Sequence, residues 1–129
     1  MSSGIRTQRH FRPGPTGFLA WDVGKLIVAA ERLPILNWPL EKISELDERW
    51  WYQFPQEVPT PRSIGEHMKL VNAVDLSYPV LLCAEGRLMD GMHRCLKALL
   101  EGRETVLARQ FPQTPPPDET DHVPDFSEG

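Results

Sequence analysis

The sequence predicts an α+β domain, a small mixed sheet with helices packed on it. Three observations lead there. Apolar residues recur at helical spacing in three segments, short apolar runs bounded by Gly, Pro and Asp lie between them, and both ends of the chain are polar and proline-punctuated. A chain of 129 residues suffices for one compact domain with a core and is too short for two. The expected organisation is a flexible arm over residues 1–17, a single domain over 18–111 and a disordered Pro-rich acidic tail over 112–129.

Taken in order, the arm carries Arg6, Arg9, His10 and Arg12 ahead of Pro13, Gly14 and Pro15, and reads as solvated, with a contact to nucleic acid as the lesser alternative. Asp22 then precedes Val23, Leu26, Ile27 and Ala30, the spacing of a helix with one buried face, ended by Pro34. Residues 35–40 read as a strand in which Pro39 marks an edge or an end. Residues 41–47 form a turn or short helix. Trp50, Trp51, Tyr52 and Phe54 follow as an aromatic cluster that packs as core or lid, with base stacking the alternative. Ser63 and Glu66 have capping-box spacing for a second helix that places Ile64, His67, Met68 and Val71 on one face, with His67 there for packing. Residues 78–82 and 87–89 are two strands turned at Glu85 and Gly86. Met92, Cys95, Leu96, Leu99 and Leu100 line one face of a third helix, Gly102 stops it, and residues 105–111 close the sheet.

Composition narrows the function. No apolar run approaches the roughly 20 residues that span a bilayer, and the N-terminus lacks the apolar core of a signal peptide, so the cytoplasm is the expected location. Cys83 and Cys95 sit in no CxxC pair and no zinc spacing, and read as reduced, partly buried thiols. The formal charge of -4 comes from Asp118, Glu119, Asp121, Asp125 and Glu128; without them 14 basic groups face 13 acidic ones. A near-neutral body does not favour sequence-independent DNA binding.

The chemistry concentrates where the second hairpin strand runs into the third helix, at Asp90, Gly91, Met92, His93 and Arg94. A strand that becomes a helix within a residue or two points several unpaired N–H groups at one spot, and the helix dipole favours an anion there. Gly91 permits the turn and lets an anion approach, while His93 and Arg94 lie off the buried face and add donors and charge. The same residues also suit a plain helix start, with Asp90 as N-cap and His93 and Arg94 solvated.

Residues 78–106, with the Asp-Gly-Met-His-Arg turn at their centre, resemble the ParB/sulfiredoxin superfamily, in which a hairpin delivers a Gly-x-[His/Arg]-Arg turn onto a helix and the turn holds nucleotide phosphates. Pro39, Leu40, Glu41, Lys42 and Ile43, and the helix start at Ser63 and Ile64, are similar to the preceding strand and helix of that superfamily; the resemblance spans residues 35–111. It implies that Gly91, Met92, His93, Arg94 and Ser63 contact a nucleotide, ATP, ADP or CTP, with magnesium at Asp90. Sulfiredoxins place a reactive cysteine after the glycine; Met92 stands there and cannot act as a thiolate. ParB proteins append a helix-turn-helix DNA reader that the matched residues do not include. The turn is most similar to the Asp-Gly-x-His-Arg of free serine kinases, whose carboxylate after the first strand is a base on the substrate hydroxyl. That match puts Asp47 at the base position with Glu45 as alternate, and implies phosphate transfer from a nucleotide to a small hydroxyl-bearing metabolite. A solvated acidic turn is the other reading of these carboxylates. The alternative function is a non-catalytic, ParB-related chromosome-partition or DNA-associated module that meets a protein partner through its termini.

Overall fold

Four consecutive buried residues, Val80, Leu81, Leu82 and Cys83, mark the centre of the fold. A strand buried on both faces reads as a continuous apolar run, and this one lies inside a four-stranded sheet with helices and turns on either side. The computed structural model describes residues 8–122. Their elements are β1 (Arg9–Pro13), β2 (Phe18–Asp22), α1 (Val23–Ala30), β3 (Leu36–Pro39), two 3-10 turns (Leu40–Lys42 and Ser44–Asp47), α2 (Pro61–Ala73), β4 (Val80–Leu82), β5 (Leu88–Asp90), α3 (Met92–Leu100), β6 (Thr105–Gln110) and β7 (Glu119–His122). One sheet has the order β3-β6-β4-β5 and is mixed, since β4 runs parallel to β6 while β3 and β5 are antiparallel to their neighbours. The other is antiparallel, in the order β1-β2-β7.

Side-chain alternation along β4 divides the core. Val80 and Leu82 join Leu40, Ile43, Leu88, Met92, Cys95 and Val106 on the face covered by α3 and the 3-10 turns. Leu81 and Cys83 join Met89 and Phe111 on the other face, covered by Trp21 of β2 and by Leu26 and Ala30 of α1. A one-residue register slip in β4 would exchange these two sets. The α+β class and small mixed sheet match the expectation from the sequence. No helix among the described residues is long and apolar enough to cross a membrane.

Several elements stand where the sequence put them. Asp22 caps α1, its Oδ1 accepting from the N–H groups of Gly24 at 2.8 Å and Lys25 at 3.4 Å. The carbonyls at the far end of α1 are gathered by Arg109 of β6, whose Nη1 donates to Ala30, Glu31 and Leu33. β3 is an edge strand ending at Pro39, where a missing N–H breaks no ladder. Gly86 turns the β4–β5 hairpin with φ 82°, and Gly102 ends α3 with φ 74°.

Four expectations need correction. The arm is not free: residues 9–13 form β1 and pair with β2, and the Pro-Gly-Pro run is their hairpin turn, closed by Gly14 N–H to the Gly17 carbonyl at 2.7 Å. The tail is likewise bound. Trp21 Nε1 donates to the Pro115 carbonyl, Asp118 accepts from the Asp22 N–H, and β7 pairs with β2, so backbone and side-chain bonds anchor residues that composition alone reads as disordered. Residues 1–7 and 123–129, which include Arg6 of the arm and Asp125 and Glu128 of the tail, lie outside the described residues. The cap of α2 is Thr60, with Ser63 at the third helical position completing the box and Pro61 at the first, where its missing N–H leaves no bond unmade. Finally, α3 is rotated: Met92, Cys95 and Ala98 are buried, whereas Leu99 and Leu100 are 50% and 59% exposed.

Candidate functional site at the start of α3

The β4–β5 hairpin ends in Asp90, Gly91 adopts φ 113°, and α3 begins at Met92, its first helical bond running from the Cys95 N–H to the Gly91 carbonyl at 3.0 Å. An added β-carbon on Gly91 would lie 2.5 Å from Val80 Cγ1 and 3.2 Å from Arg94 Nη2. The glycine is therefore required by positive φ and by contact with β4, not by the approach of an anion. No side chain caps α3 and no acid stands in its first turn, whereas α1 and α2 are both capped. Its first N–H groups accordingly have no side-chain acceptor among the described residues.

Arg94 is tied down. Its Nη2 donates to Asp90 Oδ2 at 2.7 Å and its Nη1 to the carbonyls of Pro79 at 2.8 Å and Tyr78 at 3.2 Å, with about one-sixth of the side chain exposed. The guanidinium thus fastens the entry of β4 to the first turn of α3, with its charge paired to Asp90. Asp90, expected at a magnesium ion, has one carboxylate oxygen in this ion pair. Among the described residues no group of three or more His, Cys, Asp or Glu side chains is gathered for a metal.

His93 leans on Trp51, ring centres 5.1 Å apart, and His67 lies on the same indole at 4.0 Å. The two imidazoles are 5.8 Å apart. Rings on opposite faces would be separated by at least about 7 Å, twice a van der Waals contact, so both lie on one side of Trp51. His93 Nε2 and His67 Nδ1 are buried with no hydrogen-bond partner among the described residues. Burial holds both imidazoles below the usual histidine range, and His67 and Arg94 lower His93 further. His93 is therefore a neutral group at pH 7 and supplies no charge, contrary to the reading from sequence.

The carboxylates expected to act as bases separate. Glu45 is 2% exposed, and its Oε2 accepts from the Leu88 N–H at 2.8 Å and pairs with Arg87 Nε at 3.2 Å. It fastens the second 3-10 turn to β5, a structural task that corrects its reading as an alternate base. Arg87 also forks onto both oxygens of Glu48, at 3.0 and 2.8 Å, and this pairing keeps Glu48 below the usual carboxylate range. Asp47 is exposed at the end of that turn and has no hydrogen bond or ion pair to residues 90–94 among the described residues. Ser63 is engaged in the α2 cap, exchanging bonds with the backbone of Thr60, and its Oγ lies 2.9 Å from the Tyr52 hydroxyl. Tyr52, which it meets, stands edge-on to His67.

The structure adds residues that the motif did not carry. Trp51 and His67 pack on His93, and Tyr52 holds φ 61°, a left-handed conformation uncommon for an aromatic residue. A cavity of about 240 Å³ opens between this loop, the second 3-10 turn and α3, lined by Glu45, Trp50, Trp51, Tyr52, Met92 and Leu96. The run of aromatics was the available signal for it. A larger cleft, about 630 Å³, lies toward the other end of α3. Its Lys97 Nζ is engaged by the carbonyls of Asn72 and Val74. We place the functional site at the glycine turn because the uncapped amides and the Arg94 guanidinium are there.

Comparison of the chain with family models, curated proteins and solved structures finds no match.

Cys95 is fully buried, and burial pushes its thiol up to about 12. Cys83 is equally buried and free. Thiol reactivity requires an accessible thiolate; Cys95 is held as the thiol and Cys83 is sealed from reagent, so neither should be labelled at pH 8 in the folded protein, and both should be after denaturation. Native labelling of Cys95 at the rate of a free thiol would contradict this environment.

Proposed function

We propose that the chain is a nucleotide-binding domain of the ParB/sulfiredoxin type, whose phosphates meet the first turn of α3. The observation that carries this reading is the uncapped start of α3 at Gly91 beside the immobilised Arg94 guanidinium. Uncapped helix-terminal amides favour an anion over a neutral ligand, and the Arg94 guanidinium offsets the Asp90 carboxylate that would otherwise repel it. The resemblance of residues 78–106 makes that anion a nucleotide phosphate. Magnesium keeps most of its waters and needs only one or two carboxylates beside the phosphates; the Asp90 oxygen outside the Arg94 pair suits it. Transfer of the terminal phosphate to a small hydroxyl-bearing metabolite is the activity that the resemblance implies. With Glu45 engaged in the fold, Asp47 is the carboxylate left to take the hydroxyl proton.

Calorimetric titration with ATP, ADP, CTP and inorganic tripolyphosphate in magnesium tests the binding step. Saturable heat is expected with at least one nucleotide, and about tenfold weaker binding for Arg94→Lys, which keeps the charge and loses the planar fork. Absence of heat with all four ligands rejects the reading. For the transfer step, Asp47→Asn should abolish nucleotide turnover in the presence of an acceptor without changing nucleotide affinity.

A further inference from the structure

We infer that the cavity beside the first turn of α3 receives the base of the bound nucleotide and selects a base with an exocyclic amino group. This rests on the phosphate reading of that turn. The cavity, about 240 Å³, is smaller than the roughly 300 Å³ at which sites for drug-sized ligands begin. It has room for one ring system and not for a whole nucleotide. Trp50, Trp51 and Tyr52 give it flat walls, and Met92 and Leu96 complete the apolar lining. Flat aromatic groups suit the face of a base.

Of the charged residues in this lining, Glu45, Glu48 and Arg49, Glu45 is the buried one. Its Oε2 is engaged by the Leu88 N–H and Arg87, whereas among the described residues Oε1 has only a 3.4 Å contact from Ser44 Oγ. An ionised carboxylate is acceptor-only, so Oε1 takes a hydrogen from an amino edge and repels a ring carbonyl in the same position. A site built this way discriminates strongly, because the wrong edge leaves a buried group unpaired. Glu45 and Glu48 are balanced by Arg87 and Arg49, so the surroundings carry no net charge and favour a neutral ring over a cation.

Two further features fit. Tyr52 holds its left-handed backbone under the hydrogen bond to Ser63, and such strained residues concentrate at ligand clamps. Met92 supplies both a wall of the cavity and the first amide of α3, so a base seated there has its sugar and phosphates leading to the uncapped helix start.

The test uses tryptophan fluorescence and calorimetry on the full chain with ATP against ITP, CTP against UTP, the four corresponding nucleosides, and tripolyphosphate. The amino-bearing member of at least one pair should bind at least tenfold more tightly than its carbonyl counterpart. Leu96→Trp, which fills the cavity, should erase that preference, and Glu45→Gln should shrink it, with thermal melts confirming that each variant is folded. Equal affinities within both pairs overturn the base pocket. If tripolyphosphate then still binds, the phosphate reading survives alone. If nucleosides are discriminated while tripolyphosphate does not bind, the pocket stands and the phosphate reading falls.

Discussion

Gly91→Ala should be the most damaging single-methyl change in the chain, costing about 2–6 kcal/mol of folding stability. Two independent penalties act at this residue. An L-residue at φ 113° is strained whatever surrounds it, at a cost of about 1–3 kcal/mol. The new β-carbon would also lie 2.5 Å from Val80 Cγ1 and 2.8 Å from Val80 Cβ. Val80 is fully buried in the central strand, so the clash is relieved only by moving β4 or the start of α3, and overpacking of this kind adds about 1–3 kcal/mol. A double-mutant cycle isolates the contact with Cγ1. Val80→Ala removes that methyl group and leaves the backbone strain and the 2.8 Å approach to Cβ, so the double variant should be about 1–2 kcal/mol more stable than the sum of the single effects. Chemical denaturation of the four proteins measures this. Strict additivity would mean that the added methyl does not collide with Cγ1.

That glycine also shows how far the sequence could be read. A strand ending in Asp-Gly and turning into a helix was visible from the change of period between Leu88 and Cys95, and the hairpin, the Asp22 cap and the edge position of Pro39 were visible from equally local signals. The β1-β2-β7 sheet was not, because β1 turns the polar His10, opposite Trp21, into the core and leaves Phe11, opposite Ala20 on the other face, 39% exposed, which inverts the usual apolar alternation. β7, Glu-Thr-Asp-His, has no apolar signature at all, since it joins the sheet by backbone pairing with β2 and by contacts such as Arg9 with Glu119. In α3 the small residue Ala98 lies against the sheet and two leucines face out, a choice set by how close the helix approaches and not by hydrophobicity. At the site, the i, i+4 spacing of Asp90 and Arg94 was legible. That the guanidinium would bind the carbonyls of Tyr78 and Pro79 was not, because those contacts depend on where β4 lies.

The pairing of Glu45 with β5 carries the same lesson into function. From sequence, Glu45 and Asp47 are two acids in one polar turn. In three dimensions one is sealed against Leu88 and Arg87 and the other faces solvent. Burial thus separates them, one fixing the second 3-10 turn against β5 and the other left at the surface.

Acid should destabilise the protein through His10 as pH falls below 6.5. His10 is 7% exposed, set against Trp21 and Trp50 with ring centres 5.7 Å from each, and its Nε2 accepts from Arg12 Nε at 2.9 Å. Arg12 in turn lies over the Trp21 ring at 5.6 Å. Protonation would place two cations side by side in a buried aromatic setting. Burial, with Arg12 and Arg87 adding repulsion, lowers His10 to about 4 from the ordinary 6.5. Because the folded value lies below the unfolded one, the unfolded chain binds more protons between them, and stability falls as pH falls. The contribution is fully present above pH 6.5 and is lost on the way to about pH 4, an effect of about 3 kcal/mol at 1.36 kcal/mol per unit. His67 and His93 are lowered in the same direction and add to the slope. His10→Gln, whose carbonyl can still accept from Arg12, isolates the His10 share. Denaturation midpoints measured from pH 8 to pH 4 should fall more steeply for the wild type than for the variant, and the two curves should converge toward pH 4. Parallel curves would mean that His10 is not held neutral by its surroundings. Trp50 connects this titration to the site, since it stacks on His10 and lines the cavity beside α3. A charge on His10 therefore loosens the wall of that cavity, and wild-type affinity for an amino-bearing nucleotide should weaken below pH 6.5 more than that of His10→Gln.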